Sequence, residues 1–391
     1  MKKLISLTLA AAMTMSLLAG CGSNSSAGTD SADASAETFK IGGIGPITGA
    51  GAVYGIAVKN GAELAIKEIN EAGGINGYQI EYNFQDDELD NEKSVNAYNT
   101  LKDWGMNMLV GSVTSGCCVA VAAESKNDNM FQITPSGSSV DCIEGNDNVF
   151  QVCFTDPNQG VGAADYIGEN SLASKVAVIY DSSDVYSSGI YAKFKEEAAT
   201  QNFEIVSEEA FTADNKTDFS VQLAKAQEAG AELVFLPIYY TEASLILKQA
   251  DSMGYAPKFF GCDGLDGILG VENFDTSLAE GVMLLTPFAA DAQDDLTKKF
   301  VNAYETAYND TPNQFAADAY DAVYAIKAAA EKGDVAPSDG VSGICDKMKA
   351  AMQEITVDGL TGEGMNWAAD GTVNKAPKAM EIKNGAYALV Q

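Results

Sequence analysis

The chain has 391 residues, with 24 basic against 55 acidic side chains and a net charge of −31 at pH 7. That length exceeds what one compact core holds and suits two lobes, while such acidity argues against nucleic acid and anionic lipid surfaces as direct partners. Histidine and arginine are both absent, which removes histidine-based triads, bases and metal sites and leaves a ligand carboxylate to lysine, hydroxyls or backbone N–H groups.

The chain opens on Met1-Lys2-Lys3, an apolar run from Leu4 to Leu18, and then Leu18-Ala19-Gly20-Cys21. A basic start, an apolar stretch of this length and small residues before a cut make the pattern of an export signal. The run is short for a bilayer span, which needs ~20 apolar residues. Leu-Ala-Gly-Cys resembles the bacterial lipobox, whose cysteine is lipidated and becomes the first residue of the mature protein. The resemblance implies a signal peptide over residues 1–20 and lipid attachment at Cys21. It also implies anchorage to the outer face of the cytoplasmic membrane. The alternative is an ordinary secreted chain in which Cys21 is incidental. Residues 21–38 are rich in Ser, Ala, Gly and Asp and read as a flexible tether.

From Phe39 to Ile44 a short apolar run broken by Gly42 and Gly43 predicts a buried strand. A helix follows over Gly55 to Ala72, with Ala62, Ala65, Ile66 and Ile69 on one face and Gly73-Gly74 as its stop. Tyr78, Ile80, Tyr82 and Phe84 alternate with polar residues, the period of a strand. Asn91 to Trp104 reads as helix, Asn107 to Val110 as strand, Cys117 to Asn127 as helix and Met130 to Thr134 as strand. The alternation restarts after Asp156, with helices over Val161 to Glu169, Ile190 to Thr200, Phe219 to Ala229 and Glu242 to Met253. Strands fall between and after them at Val176 to Tyr180, Phe203 to Val206, Leu233 to Leu236 and Phe259-Phe260. Helical stretches Asp294 to Tyr308 and Phe315 to Glu331 come later. Alternation of this kind predicts an α/β fold with parallel sheets covered on both faces. Ligands of such sheets bind beyond the carboxyl ends of the strands, which two facing lobes would turn into a cleft.

Several motifs can be set aside. Gly42-Gly43-Ile44-Gly45-Pro46-Ile47-Thr48-Gly49 invites a dinucleotide fingerprint, but Thr48 stands where the third glycine is needed. No phosphate-binding loop, nucleophile elbow or His-Glu-x-x-His is present. Cys117, Cys118, Cys142, Cys153, Cys262 and Cys345 form no Cys-x-x-Cys pair, so metal and redox-motif readings lack support. They read as small buried hydrophobes. Cys117-Cys118 sits at a helix start, where a thiolate is favoured, and Cys142 and Cys153 are candidate disulfide partners.

Six segments, in this order, carry a wider resemblance: Lys40 to Glu81, Leu109 to Gly116, Phe131 to Ser139, Val176 to Gly189, Phe259 to Gly264 and Gly359 to Gly371. Together they resemble the type I periplasmic binding proteins, and most of all the leucine/isoleucine/valine-binding proteins of ABC importers, over about Phe39 to Gln391. The resemblance implies two Rossmann-like lobes joined by a three-strand hinge. One lobe would be residues 39–157 plus 287–361, the other 158–286 plus 362–391, with crossings near Thr155-Asp156-Pro157, Thr286-Pro287 and Gly359 to Gly364.

It also implies a ligand site. Ser115 matches the family's carboxylate-binding hydroxyl, Ser138 its second hydroxyl and Ser136 a residue that binds through its backbone. Each of these serines can equally be a helix cap, and a hydroxyl can cap and donate at once. Asp263 matches the acidic residue that meets an α-ammonium, where the family more often has the longer Glu; locally it can also be a turn Asp before Gly264. Tyr54, Tyr186 and Tyr239 match aromatics around the ligand, and Phe315 a side-chain contact of the first lobe. The family's first-lobe disulfide has no counterpart.

The expected protein is therefore a monomeric, lipid-anchored substrate-binding protein with no cofactor or metal. Its expected ligand is an α-amino acid, branched-chain or aliphatic, and its partner an ABC permease. Its rivals are a sensory binding module serving a separate signalling partner and an enzyme, although no base is paired with a nucleophile.

Overall fold

The computed structural model describes residues 37–390; the expected signal peptide and Cys21 lie outside the described residues. The elements run β1 (Phe39–Gly45), α1 (Ala52–Glu71), β2 (Ile80–Asp86), α2 (Asn91–Trp104), β3 (Met108–Gly111), α3 (Ser115–Asn127), β4 (Phe131–Thr134) and β5 (Val149–Gln151). Then come α4 (Asp156–Glu169), β6 (Lys175–Asp181), α5 (Val185–Ala198), β7 (Glu204–Phe211), α6 (Ser220–Glu228), β8 (Leu233–Leu236), α7 (Tyr240–Ser252), β9 (Lys258–Gly261) and β10 (Met283–Thr286). The chain closes with α8 (Asp295–Tyr308), α9 (Gln314–Lys332), α10 (Gly340–Met352), β11 (Lys378–Lys383) and β12 (Ala386–Leu389).

Two sheets result. The first has order β2-β1-β3-β4-β5 and is parallel throughout. The second has order β12-β11-β10-β9-β8-β6-β7. It is parallel from β7 to β10, but β11 and β12 join antiparallel, where sequence reasoning expected parallel strands alone. For the β11–β12 pair the reason lies in Asn384 and Gly385, which take φ of 53° and 73° and so form the tight turn that returns the chain antiparallel to β11.

The glycines of β1 serve packing. A Cβ at Gly42 would lie 2.2 Å from Met106 Sδ, and one at Gly43 2.4 Å from Phe84 Cδ2. The strand is gripped on both faces, so the glycine-rich start follows from close layers and needs no phosphate. Helices α1 and α9 pair in the same way: a Cβ at Gly61 would stand 2.1 Å from the Ala316 carbonyl oxygen. Along α9, alanines 316, 317, 319, 322, 325, 329 and 330 are all buried, which lets two long helices approach closely.

The chain passes between lobes three times. It leaves the first lobe after β5, where Thr155 caps α4 by accepting the Asn158 N–H, and it returns after β10. After α10 the chain stays bonded to first-sheet elements for some way. Gly371 O still accepts the Gln151 N–H, Trp367 Nε1 donates to Gln151 O, and the buried Lys375 pairs with Asp318 of α9; the second sheet is entered at Lys378. Among the described residues, no helix is long and apolar enough to cross a membrane.

Candidate functional site

Carboxyl ends of strands from both sheets face each other across the cleft. In the first lobe β3 runs into Ser112-Val113-Thr114 and then α3, so the N–H groups of the first turn of α3 point into the cleft. Beside it, β4 ends at Thr134 and the loop Pro135 to Ser139 folds back. Ser115 Oγ accepts the N–H groups of Ser138 (3.2 Å) and Ser139 (3.1 Å). Its proton is thereby left to donate elsewhere. It does not cap its own helix: Thr114 holds the cap position without a side-chain bond. Ser136 Oγ donates to Val113 O at 2.6 Å, so its hydroxyl ties the two loops together.

The second lobe answers with aromatics and acid. Asp263 begins a short 3-10 turn after β9. Its Oδ1 accepts from Tyr186 Oη at 2.7 Å, and the Tyr186 hydroxyl in turn accepts the Gly264 N–H at 2.9 Å. Tyr186 and Tyr239 stack with centroids 4.9 Å apart. Tyr54, from the first lobe, meets Tyr239 edge-on and Phe315 at 4.5 Å. The Tyr54 hydroxyl donates to Gly264 O and accepts the Tyr240 N–H.

All the expected residues except Ser138 line one cavity: Tyr54, Ser115, Ser136, Tyr186, Tyr239, Asp263 and Phe315. Ser138 lies just behind, bonded through its N–H to Ser115. Val113, Thr114 and Gly264, not singled out from sequence, complete the lining. The cavity measures about 10 Å³, room for about one water. The lobes are therefore shut on each other, and any larger ligand enters only when they part.

The polar groups here are poorly satisfied. Ser138 Oγ, Thr114 Oγ1, Gln159 Nε2 and both carboxylate oxygens of Asp156 are buried with no hydrogen-bond partner. Such groups are costly; of these residues Thr114 lines the cavity, while Ser138 and Asp156 lie behind it, joined by the Asp156 N–H to the Ser138 carbonyl. Burial drives Asp263 up to about 7, against the hydroxyl of Tyr186 and the amide of Gln159. Burial also raises Asp156 well above the carboxylate range; the nearby Ser138 hydroxyl opposes this, and the charge of Asp263 adds to it. Sequence reasoning missed Asp156 and Gln159 because Thr155-Asp156-Pro157 reads completely as a helix start.

The cysteines are the small buried hydrophobes expected, and the disulfide and thiolate options fall. All six described cysteines are unpaired and buried, so no disulfide joins Cys117 or Cys118 to Cys142 or Cys153. Burial, with the charge of Asp87 second, pushes the Cys117 thiol far up, which defeats the thiolate that a helix start would favour. Among the described residues no group of His, Cys, Asp or Glu is arranged to hold a metal ion.

A profile of periplasmic binding proteins matches residues 38–386. The chain belongs to that family. It is 30% identical over 317 residues to a leucine-, isoleucine-, valine-, threonine- and alanine-binding protein of Pseudomonas aeruginosa, covering 81% of this chain and 84% of that one. It is 33% identical to Leu/Ile/Val-binding protein homolog 3 of Brucella melitensis, over 77% and 81% of the two chains. Among solved structures, LivJ of Streptococcus pneumoniae in complex with isoleucine superposes with a TM-score of 0.81 at 31% identity, covering 90% of this chain and 97% of that one. A solute-binding protein of Rhodopseudomonas palustris in complex with 3,4-dihydroxybenzoic acid shares the fold at 21% identity and a TM-score of 0.79, covering 90% and 96%. Members of one fold thus carry ligands with and without an ammonium group, so the ligand class must be argued from the site. Family and fold are those of solute-binding proteins rather than enzymes.

Proposed function

We propose that this chain is the substrate-binding protein of an ABC importer for branched-chain or other aliphatic α-amino acids, held outside the cytoplasmic membrane by lipid on Cys21 and acting as a monomer. The observation that carries the ligand class is the meeting, in one small cavity, of first-lobe hydroxyls (Ser115, and Thr114, whose Oγ1 has no partner) with the buried carboxyl of Asp263 from the second lobe. A zwitterion supplies a carboxylate to the first set and an ammonium to the second; a benzoate supplies only the carboxylate. The relatives named for leucine, isoleucine and valine support the same reading.

In the proposed mechanism the ligand carboxylate docks on Ser115, Ser138 and the N–H groups at the start of α3, with the backbone at Ser136 beside them. Tyr54 and Phe315 take its aliphatic part. Closure then brings Tyr186, Tyr239, Asp263 and Asp156 onto the ammonium side. Contacts made only when shut shift the population toward the closed form, which the permease would recognise.

Thermal denaturation of the protein from Gly22 onward, stripped of ligand by unfolding and refolding, tests this. A micromolar aliphatic L-amino acid at millimolar concentration should add about 4 kcal/mol of stability. Stabilisation by benzoates or sugars and not by amino acids would overturn the assignment. Ser115→Ala with Ser138→Ala should weaken binding at least about tenfold. The wild type should prefer the free acid to its amide; equal affinity for both counts against these hydroxyls. Cys21→Ala should move the protein from the membrane fraction to the medium or periplasm, and continued membrane retention would remove the lipid anchor.

A further inference from the structure

A second, larger cavity lies between the lobes at the second crossing. It measures about 460 Å³, within the range of small-molecule sites. Val53 and Val301 of the first lobe and Leu269, Phe288 and Tyr387 supply apolar wall. Asp266, Asp291, Glu305 and Asp310 also line it, and no lysine does. Acidic residues alone would mean little, since the whole chain is acidic. Asp266 is different. It is only 4% exposed; Oδ2 accepts the Gln314 N–H at 3.0 Å, while Oδ1 is buried without a formed hydrogen bond, the Tyr387 hydroxyl being the one neighbouring side chain of the hairpin that draws the carboxyl down. A carboxylate oxygen held out of water without a donor is expensive, and here it borders a chamber of ligand size.

The chemistry selects the occupant. A carboxylate-bearing molecule would meet four acidic side chains and no cation. Among the described residues no group of His, Cys, Asp or Glu is arranged for a metal ion, and the valine, leucine and phenylalanine walls offer nothing to a hydrated one. We propose that this hinge chamber binds a small organic ammonium ion, its N–H groups on Asp266 Oδ1 and its alkyl part against Val53, Leu269, Phe288 and Val301. Both lobes wall the chamber, so its occupant favours the shut arrangement. Amine and cleft ligand then strengthen each other by the same factor, as linkage requires.

Titration calorimetry with n-butylammonium and with 1,4-diaminobutane, without any amino acid present, tests the site independently of the cleft reading. The wild type should bind both saturably, and n-butyrate not at all. Asp266→Asn keeps an oxygen for the Gln314 N–H and should weaken the amines at least about tenfold. Glu305→Gln, on an exposed helix face, should weaken them by a smaller factor and serves if the first variant misfolds. No saturable binding at about 10 mM amine, or equal binding by the wild type and both variants, overturns the proposal. Loss of amine binding in Asp263→Asn with full retention in Asp266→Asn would place the amine in the cleft and overturn it as well.

Discussion

Replacing Lys375 with methionine is expected to lower the unfolding free energy by about 3–5 kcal/mol, the usual cost of stripping one partner from a buried ion pair. Lys375 Nζ lies 2.8 Å from Asp318 Oδ1, with side-chain exposures of 1% and 3%, and also bonds the Thr361 hydroxyl. One helical turn along, Asp321 is buried too and accepts the N–H groups of Leu360 and Thr361 and the Thr361 hydroxyl. Burial raises both carboxyls, and the lysine is first among the groups that draw them down, with Thr361 after it. Without the lysine, Asp318 and Asp321 are two buried acids with no buried cation beside them. Because their folded pKa values then lie still further above the unfolded ones, the deficit grows as pH rises through the carboxylate range and shrinks in acid. Urea unfolding at two pH values measures this. An unchanged midpoint would show that the pair contributes nothing; partial recovery on adding Asp318→Leu would show that the cost is the stranded charge.

Asp263→Asn is expected to weaken amino-acid binding roughly 10- to 150-fold, the loss of a charge-assisted pair of about 1.5–3 kcal/mol, with the Tyr186 hydroxyl still served by the amide oxygen. Asp263 sits at about 7 in the shut protein because burial outweighs its hydrogen bonds. Its folded pKa is raised, so its contribution to stability is present in acid and is lost as pH rises from the ordinary carboxylate range through about 7. An ammonium brought beside it favours the ionised form. Binding near pH 6 should therefore expel a proton, and affinity should fall as pH drops below about 7. Calorimetry in buffers of different ionisation heat reads the proton directly. Buffer-independent heats in the wild type, or an Asn variant with wild-type affinity, would take Asp263 out of the site.

The parallel layers were legible because period-two and helical patterns alternate cleanly from Phe39 to Phe260. The late strands were not. Met283–Thr286 is three apolar residues and a threonine between loops, and β11 and β12 are short strands at one end of the sheet whose plainest signal is the Asn384-Gly385 turn. α10 contains Gly340 and Gly343, which dilute a helical pattern. Site residues at strand ends were legible only through the family resemblance, since locally Ser115, Ser136 and Ser138 read equally as helix caps and Asp263 as a turn residue. Asp156 and Gln159 were not, since a threonine cap followed by proline explains their neighbourhood locally, and only tertiary burial strips them of partners. Asp266 was hidden in the same way, three residues past Asp263 in a turn whose burial depends on α9 and on the C-terminal hairpin.

The cross-lobe hydrogen bonds around Tyr54 and Tyr240 have a physiological side. Tyr54 Oη holds Gly264 O and the Tyr240 N–H, Val53 donates its N–H to Tyr240 Oη, and Thr241 Oγ1 donates to Ala50 O. These groups are all neutral. Among the described residues every ion pair stays within one lobe or its hinge strand. Dissolved salt screens charge and leaves neutral latches alone, while it softens the mutual repulsion of two acidic halves. The clasp between the lobes should therefore hold from low to high ionic strength, changed only by what the lobes' own negative charge takes away.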